Sequence, residues 1–405
     1  MNIGLFTDSY FPQVSGVATS IETLRNQLEH RGHKVIIFTT TDPNATMERG
    51  IVRLPSVPFV SFQDRRIAYR GFDRCLKIAR EYNLDIVHTH TEFSLGLAGK
   101  YIASRLKIPN IHTYHTMYEK YTHYIFNGEL IQANHVRVLS RMFCEKTQGV
   151  ITPSVITSNK LREYNIKVPI AVIPTGVEIP SFDEARRQTF RTQLGYTDED
   201  VVLLSLSRLS KEKNVDQVIA AFKEINQANT STKLLVVGDG PARADLELQA
   251  KDCSAVSFVG EIDHSSVQQF YQAADLYVNA SDSETQGLTY LESFANRLPI
   301  VAKSNSYLES IMPDVQFGAL FDEEHSMTDV VLDYLKNKAE GIIPEIEAES
   351  LVGISAEHFG EEVEKFYHQT ILNFSHQDNT MFDKLYTSIK ELIHDVVIGG
   401  GSKNE

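Results

Sequence analysis

Short runs of consecutive apolar, largely β-branched residues recur along the chain, each followed by a stretch with helical spacing. In the first half Asn2 to Phe6, Val35 to Thr39, Asp85 to His88, Ile111 to His115 and Gly149 to Pro153 read as strands. In the second half Val201 to Ser207, Lys233 to Val237, Val256 to Val259, Asp275 to Asn279 and Ile300 to Ala302 do the same. Ala18 to Arg31, closed by Gly32, and Val215 to Ile225 have the spacing of amphipathic helices. Apolar runs without polar alternation indicate strands buried on both faces, and strand–helix alternation indicates a parallel, doubly wound sheet. The α/β pattern occurs twice, with a crossing in Ile173 to Pro180, which predicts two Rossmann-like domains over 1–174 and 175–379. A last amphipathic helix over 380–398 is expected to pack back against the first domain, ahead of a disordered tail at 399–405. Ligands of such sheets bind beyond the carboxyl ends of the strands, so the loops there are the places to look for chemistry.

One of those loops follows the strand ending at Asn279. A helix is predicted over Thr285 to Asn296, with Ser283 as its N-cap and the N–H groups of Thr285, Gln286, Gly287 and Leu288 at its positive end. A helix start after a parallel strand is a natural phosphate site. Glu284 and Glu292 frame it, roughly 12 Å apart along a helix. That is wider than the roughly 5 to 10 Å of a paired-carboxylate hydrolase. It suits the two ends of a nucleotide sugar, one acid meeting sugar hydroxyls and the other a ribose. Arg208 and Lys213 occupy the loop after Ser207, the same topological place, where two cations can neutralise a diphosphate leaving group. Gly260 and Ile262, after the strand ending at Val259, are placed to present backbone groups to a nucleobase.

The segment Ser207-Arg208-Leu209 with Lys213, and the spacing Glu284 to Glu292, resemble the retaining glycosyltransferases of family 4, which have the glycosyltransferase-B fold of two facing Rossmann-like domains. The resemblance extends to Asp8 through Val17, Ile173 through Glu178, Val237 through Pro241 and Phe258 through Glu261. It implies that the second half binds the donor. It also implies that Gly16, in the loop after the first strand, offers a backbone N–H to the donor's distal phosphate or the reacting centre. Many relatives carry two glycines there; Ser15 replaces the first. His115 is similar to the family histidine that contacts the transferred sugar. His88, His90 and His112 also lie near strand ends, without the carboxylate or Cys spacing of a zinc site; His88 and His90 are expected to shape the acceptor side or to be structural.

Two stretches point to a membrane. Over Asp64 to Arg80 a helix would put Arg66, Arg70, Arg74 and Lys77 on one stripe, with Arg65 beside them and the aromatic run Pro55 to Phe62 ahead. A basic amphipathic helix of this kind suits an anionic surface, although a solvated cationic face has the same pattern. Met117 to Gly128, including Tyr118, is dense in aromatics and suits a lid over a lipidic acceptor; a buried helix reads alike. Thr113-Tyr114-His115-Thr116-Met117-Tyr118 is similar to diacylglycerol glucosyltransferases of Gram-positive bacteria.

Composition narrows the class further. The chain has 405 residues, 42% hydrophobic and 23% charged, ordinary for globular domains. It carries no apolar run near the roughly 20 residues of a membrane span, and Met1 leads straight into a strand rather than a signal peptide. Three scattered cysteines, Cys75, Cys144 and Cys253, suit a reducing cytoplasm. The net charge of −14 is unevenly spread: residues 1–175 hold 21 Lys and Arg against 14 Asp and Glu, leaving 18 against 39 beyond. A basic half favours an anionic surface and an acidic half opposes wrapping nucleic acid. No G-x-G-x-x-G follows the first strand, which argues against a dinucleotide oxidoreductase.

The resemblance therefore implies a hexosyltransferase that moves glucose from UDP-glucose to 1,2-diacylglycerol with retention. Its product would be α-monoglucosyldiacylglycerol, the glycolipid anchor of lipoteichoic acid. Front-face attack is implied, with no covalent nucleophile, no cofactor and no metal in the chemistry. The enzyme would be cytoplasmic and peripheral at the inner membrane face. Alternatives from the same residues are a family 4 enzyme with a soluble or polyprenyl-linked acceptor, a non-catalytic nucleotide-sugar binder, and a sugar-nucleotide epimerase.

Overall fold

A computed structural model describes residues 1–13, 15–59, 62–115, 133–263, 266–281 and 287–374. It divides into two compact units, Met1–Gly176 with Ala356 onward, and Val177–Ser355.

In the first unit the chain runs β1 (Asn2–Phe6), α1 (Gly16–His30), β2 (Lys34–Thr40), β3 (Ile51–Leu54), β4 (Ser56–Phe59), β5 (Phe62–Ala68) and α2 (Phe72–Glu81). It continues with β6 (Ile86–Thr89), α3 (Ser94–Leu106), β7 (Asn110–Thr113), α4 (Ala133–Cys144), β8 (Gly149–Thr152), α5 (Val155–Glu163) and β9 (Ile170–Val172). Seven strands form a parallel sheet in the order β3-β2-β1-β6-β7-β8-β9, and β4 and β5 form a separate antiparallel hairpin. The inner strands are buried on both faces because alternate side chains serve opposite layers. Ile3, Leu5, Val35 and Ile37 pack with Ile21, Leu24 and Leu28 of α1, whereas Phe6, Ile36 and Phe38 pack with α2 and α3.

The second unit runs α6 (Glu184–Gln193), β10 (Val201–Leu206), α7 (Val215–Ala228), β11 (Thr232–Val237), α8 (Arg243–Ala250), β12 (Val256–Gly260) and α9 (Val267–Ala273). It ends with β13 (Leu276–Asn279), α10 (Leu288–Ala295), β14 (Ile300–Lys303), α11 (Ser306–Ile311), β15 (Gly318–Phe321) and α12 (Met327–Ala339). Its parallel sheet has the order β12-β11-β10-β13-β14-β15. In each sheet the order reverses beside the first strand of the unit, at β1/β6 and at β10/β13. These are the switch points at which open α/β sheets bind ligands.

The chain returns to the first unit at Ala356, earlier than the sequence reading placed it: 356–374 was assigned to the donor domain. The helix that makes the return is α13 (Ala356–Leu372), whose Phe359, Val363, Phe366 and Tyr367 join the α1 layer. Two glycines admit it. A Cβ on Gly149 would stand 2.5 Å from the Phe366 ring, and one on Gly360 2.5 Å from Gln27 Cβ. Arg31 and His33 add ion-pair contacts to Glu364, at 3.3 and 2.7 Å. Residues 380–398 and 399–405 lie outside the described residues.

The basic helix expected over Asp64 to Arg80 is also corrected. Residues Phe62–Ala68 are β5, and only Phe72–Glu81 is helical, opened by Gly71 at φ 98°. Arg66 therefore shares no stripe with Arg74. It turns inside the hairpin, donating to Ser56 Oγ (2.9 Å) and Ser56 O (2.8 Å). Arg70 lies in a bend with its guanidinium over the Tyr69 ring, and the Arg65 side chain lies outside the described residues. β-Branched and apolar residues at alternating positions, Val57 against Ile67, held this stretch in a hairpin that helical periodicity had masked.

Candidate active site

The donor-side residues gather at the carboxyl edge of the second sheet. β10 feeds Leu209 back into the core, where it is 1% exposed, and this turns neighbouring Arg208 outward. The loop is fixed by its neighbours through backbone bonds: Leu209 N–H to Asp239 O (2.9 Å), Ala242 N–H to Leu209 O (3.0 Å) and Gly238 N–H to Gly260 O (2.8 Å). Lys213 closes a 3-10 turn over Lys211–Lys213, and Asn214 reverses the chain at φ 50° to start α7.

From there the loop is tied across the switch point. Asn214 Nδ2 donates to Ala280 O at 3.0 Å and Ser281 Oγ to Glu212 O at 3.3 Å. The buried Tyr277 hydroxyl donates to Leu206 O (3.0 Å), and Ser281 N–H to Asn279 Oδ1 (2.7 Å). Arg208 and Lys213 are thus built into the same knot as the strand that leads to Gly287. Sequence reading missed Asn214 and Tyr277, which carry that knot; Asn after Lys213 is a signal for a left-handed residue.

The helix after that strand starts later than predicted. α10 begins at Leu288, with Gly287 rather than the expected Ser283 as its N-cap, at φ 59°. Only glycine fits this corner: its φ is left-handed, and a Cβ would stand 2.4 Å from Tyr290 Cδ2. Tyr290 itself is fully buried in the core beneath. Glu292 lies one turn into α10, half-buried, and its Oε2 accepts from the buried Tyr271 hydroxyl of α9 at 3.0 Å. Glu284, Thr285 and Gln286 lie outside the described residues.

Gly260 ends β12 at φ 93°, with Arg243 Nη1 2.9 Å from where a Cβ would stand. Arg243 is held there by Asp239 and Glu247, both at 2.8 Å. The Gly260 carbonyl accepts from Gly238 N–H at 2.8 Å, and Ile262 beyond it is half-buried.

In the first unit, Gly16 is not a loop residue. It is the first residue of α1, capped by Ser15, whose Oγ accepts from Ala18 N–H at 3.2 Å. The serine that replaces a family glycine therefore serves as the N-cap. Gly16 and Val17 place their N–H groups in the first turn, where no intrahelical acceptor exists. Upstream, buried Asp8 accepts from Thr91 Oγ1 (2.6 Å), Leu95 N–H (3.1 Å) and Ser94 Oγ at the start of α3. It locks the β1 loop to the β6 loop, a structural role that a lone Asp in the sequence does not advertise.

Next along the sheet edge lie the histidines. His115 Nε2 and His90 Nδ1 are 3.0 Å apart with their rings stacked at 26°. His112 bridges Thr89 O (2.9 Å) and Glu92 Oε1 (3.2 Å). His88 is enclosed between Tyr367 OH and Thr113 Oγ1, each at 2.7 Å, a satisfied core histidine. Burial, and secondarily the neighbouring imidazoles, push His88 and His90 well below the ordinary histidine range and His115 down to about 3. All three are neutral at pH 7. Tyr118 and the rest of Met117 to Gly128 lie outside the described residues. Among the described residues, no group of three His, Cys, Asp or Glu is placed to hold a metal, and no helix is long and apolar enough to cross a membrane.

Comparison with known proteins gives this arrangement its relatives. Residues 14–179 match the family described as Glycosyltransferase Family 4, and residues 186–345 match Glycosyl transferases group 1. The chain is 46% identical to the alpha-monoglucosyldiacylglycerol synthase of Streptococcus pneumoniae, over 98% of this chain and 93% of that protein. It is 28% identical to the protein of the same name from Acholeplasma laidlawii, over 83% and 89%. Among solved structures, Anabaena Alr3699/HepE in complex with UDP and glucose superposes with a TM-score of 0.71 at 16% identity, covering 91% of this chain and all of that one. That likeness is one of fold.

Proposed function

Because this chain belongs to glycosyltransferase family 4 and has its two-domain glycosyltransferase-B fold, we propose that it transfers glucose from UDP-glucose to the free hydroxyl of 1,2-diacylglycerol with retention. The product is α-monoglucosyldiacylglycerol, a glycolipid of the kind that anchors lipoteichoic acid. The observation that carries the chemistry is the knot at the second switch point. It holds Arg208 and Lys213 beside the strand leading to Gly287, with the bonds Asn214 to Ala280 and Ser281 to Glu212 fixing the register.

In this reading the acceptor oxygen forms its bond to the anomeric carbon on the face that the diphosphate leaves. The carbon–oxygen bond to phosphate breaks, and its electron pair departs on UDP. The acceptor's proton goes to the departing phosphate oxygen. Arg208, Lys213 and the N–H groups at the start of α10 stabilise the charge that develops there, as preorganised donors do. Two fixed cations supply this stabilisation without a divalent metal. Glu292, oriented by Tyr271, binds the ribose, and Glu284 and neutral His115 hold sugar hydroxyls. Gly16 contributes a backbone N–H from the first turn of α1. The enzyme works as a peripheral protein at the cytoplasmic face of the membrane, where the acceptor resides.

The test is incubation with radiolabelled UDP-glucose and vesicles containing diacylglycerol, followed by identification of the lipid product and its anomeric configuration by NMR. An α-glucosyl lipid is expected, with the rate unchanged by chelator. Label transferred only to a soluble or polyprenyl-linked sugar, label left wholly on the donor, or conversion of the donor with no acceptor present would each replace this reading.

A further inference from the structure

The Arg66, Arg70 and Arg74 stripe does not exist in the fold, so a membrane contact has to be sought elsewhere on the first unit. Helix α4 supplies one. Its inner face is firmly seated: Val136, Ser140, Phe143 and Cys144 are buried, Ser140 Oγ meets Tyr114 OH at 2.9 Å, and the Phe143 ring lies 4.7 Å from the His112 ring. Lys100 of α3 reaches across to the Phe143 carbonyl and stands over its ring at 4.1 Å.

The outer face of the same helix is apolar. Val138, Leu139 and Met142 are 53%, 61% and 50% exposed. At 100° per residue they occupy one sector of the outward side, and Arg137 and Arg141 occupy the sector beside it. Lys146 follows just past the helix end; Glu145 is the acid among them, bound by Arg141 Nε at 2.7 Å. Three large apolar side chains on a rigid helix, bordered by three cations against one carboxylate, form a surface of mixed character. A protein core would take the apolar part and reject the cations. A bilayer whose headgroups are anionic accepts both, the side chains entering the acyl boundary while the cations stay at phosphate level.

We propose that the outer face of α4 is the membrane-docking surface of this enzyme, Val138, Leu139 and Met142 inserting and Arg137, Arg141 and Lys146 meeting anionic phospholipid. This deepens the proposed function and rests on it for the identity of the acceptor. It also gives the arrangement a purpose: the buried side of the docked helix is bonded to Tyr114, the residue preceding His115. The membrane-facing helix and the histidine assigned to the transferred sugar are then joined within the same unit.

The experiment is flotation of the full chain with phosphatidylcholine vesicles, with and without phosphatidylglycerol and lacking diacylglycerol. Replacing Val138→Ser, Leu139→Ser and Met142→Ser together should weaken binding to both kinds of vesicle about ten-fold or more. Arg137→Gln with Arg141→Gln should remove only the phosphatidylglycerol increment, about five-fold per cation. The chain has no Trp, so Met142→Trp places a single reporter on the face, and its emission should shift to the blue on vesicle addition. The serine variant should keep its circular dichroism spectrum and its transfer to a water-soluble short-chain diacylglycerol while losing transfer to vesicles. Parent-like flotation of the serine variant, or an unshifted Trp, overturns the proposal. So does a concentration-dependent dimer abolished by the serine variant with vesicle binding intact, which would make the face an interface between copies. These outcomes are read without turnover, so failure of the glucosyltransfer assay leaves them decisive.

Discussion

Mild acid should unfold the first unit selectively. His88 and His90 are 1% and 3% exposed, and their pKa values, like that of His115, are held far below 6.5 by burial. A histidine whose folded pKa is depressed stabilises the fold above the unfolded value, and that contribution is lost as pH falls from about 6.5 toward the folded value. At pH 5.5 the unfolded chain takes up nearly one proton per histidine that the folded unit does not, costing about 1.4 kcal/mol each and about 4 kcal/mol for the three. That is a large share of the roughly 5–15 kcal/mol stability of a typical domain. Lys100 adds to the slope in its upper part, since burial pushes its ammonium down to about 7 and stability gained above that pH is absent below it. The described histidine of the second unit, His325, is exposed and bonded to Asp322. Because two units need not unfold together, a single melting temperature is the wrong observable. Hydrogen exchange with peptide-level mass readout at pH 7.5 and 5.5, corrected for intrinsic rates, separates them. Peptides of β6, β7 and α13 should lose several kcal/mol of protection while β10 and β13 change little. Equal loss in both units, or none in the first, would refute the assignment of these histidines as buried and neutral.

At the donor edge, Arg208→Ala or Lys213→Ala should each lower kcat by about a hundred- to a thousand-fold, with a smaller effect on KM, measured by label transfer from UDP-glucose. Arg208→Lys should rescue only part of this, because a planar guanidinium fork can meet two phosphate oxygens at once and an ammonium cannot. Gly287→Ala should abolish most activity while leaving the second unit folded by circular dichroism, since its Cβ would collide with the ring of Tyr290 in the first turn of α10 and shift that turn. Asp275→Ala should destabilise the second unit by about 3–5 kcal/mol in urea unfolding. It removes the carboxylate that meets the buried Arg191 guanidinium at 3.0 Å and also pairs with Arg187, leaving Arg191 only the carbonyls of Ala273, Thr197 and Asp200 as acceptors.

The layered α/β architecture was legible because unalternating apolar runs leave a strand only a doubly covered sheet to occupy; the strand order that sets the switch points was not. Arg208 and Lys213 were legible for the same reason: once β10 and α7 are placed, the loop between them must lie at the sheet's carboxyl edge. What failed had a local signal that pointed the wrong way. Cationic residues at helical spacing from Asp64 to Arg80 looked like one helix, yet Gly71 breaks it and Val57 pairs with Ile67 across a hairpin. Ser283 has the chemistry of an N-cap, but α10 starts from the left-handed Gly287. The return of α13 depends on gaps left by Gly149 and Gly360, far apart in sequence, and no local pattern reports such a fit. Tyr271 on Glu292 and His90 on His115 are likewise pairings made by tertiary structure alone.

The neutrality of His115 bears on where the acceptor's proton goes. A general base works best with a pKa near the working pH. An imidazole held down to about 3 by burial is several orders of magnitude too weak to retain a proton at pH 7. Its environment reinforces this, since the nearest partner is another neutral histidine and the Glu92 carboxylate is engaged by His112 instead. His115 can therefore orient a hydroxyl but is ill suited to deprotonate one. In the proposed mechanism the departing phosphate, whose charge rises as the bond to carbon breaks, is the stronger base at that moment, and Arg208 and Lys213 serve to let it leave rather than to supply the base. On this view the pH profile of kcat has no limb near pH 6.5 from His115, and His115→Gln, which keeps a neutral hydrogen-bonding group, retains more activity than His115→Ala. A profile with such a limb that His115→Gln abolishes would reinstate the histidine as the base.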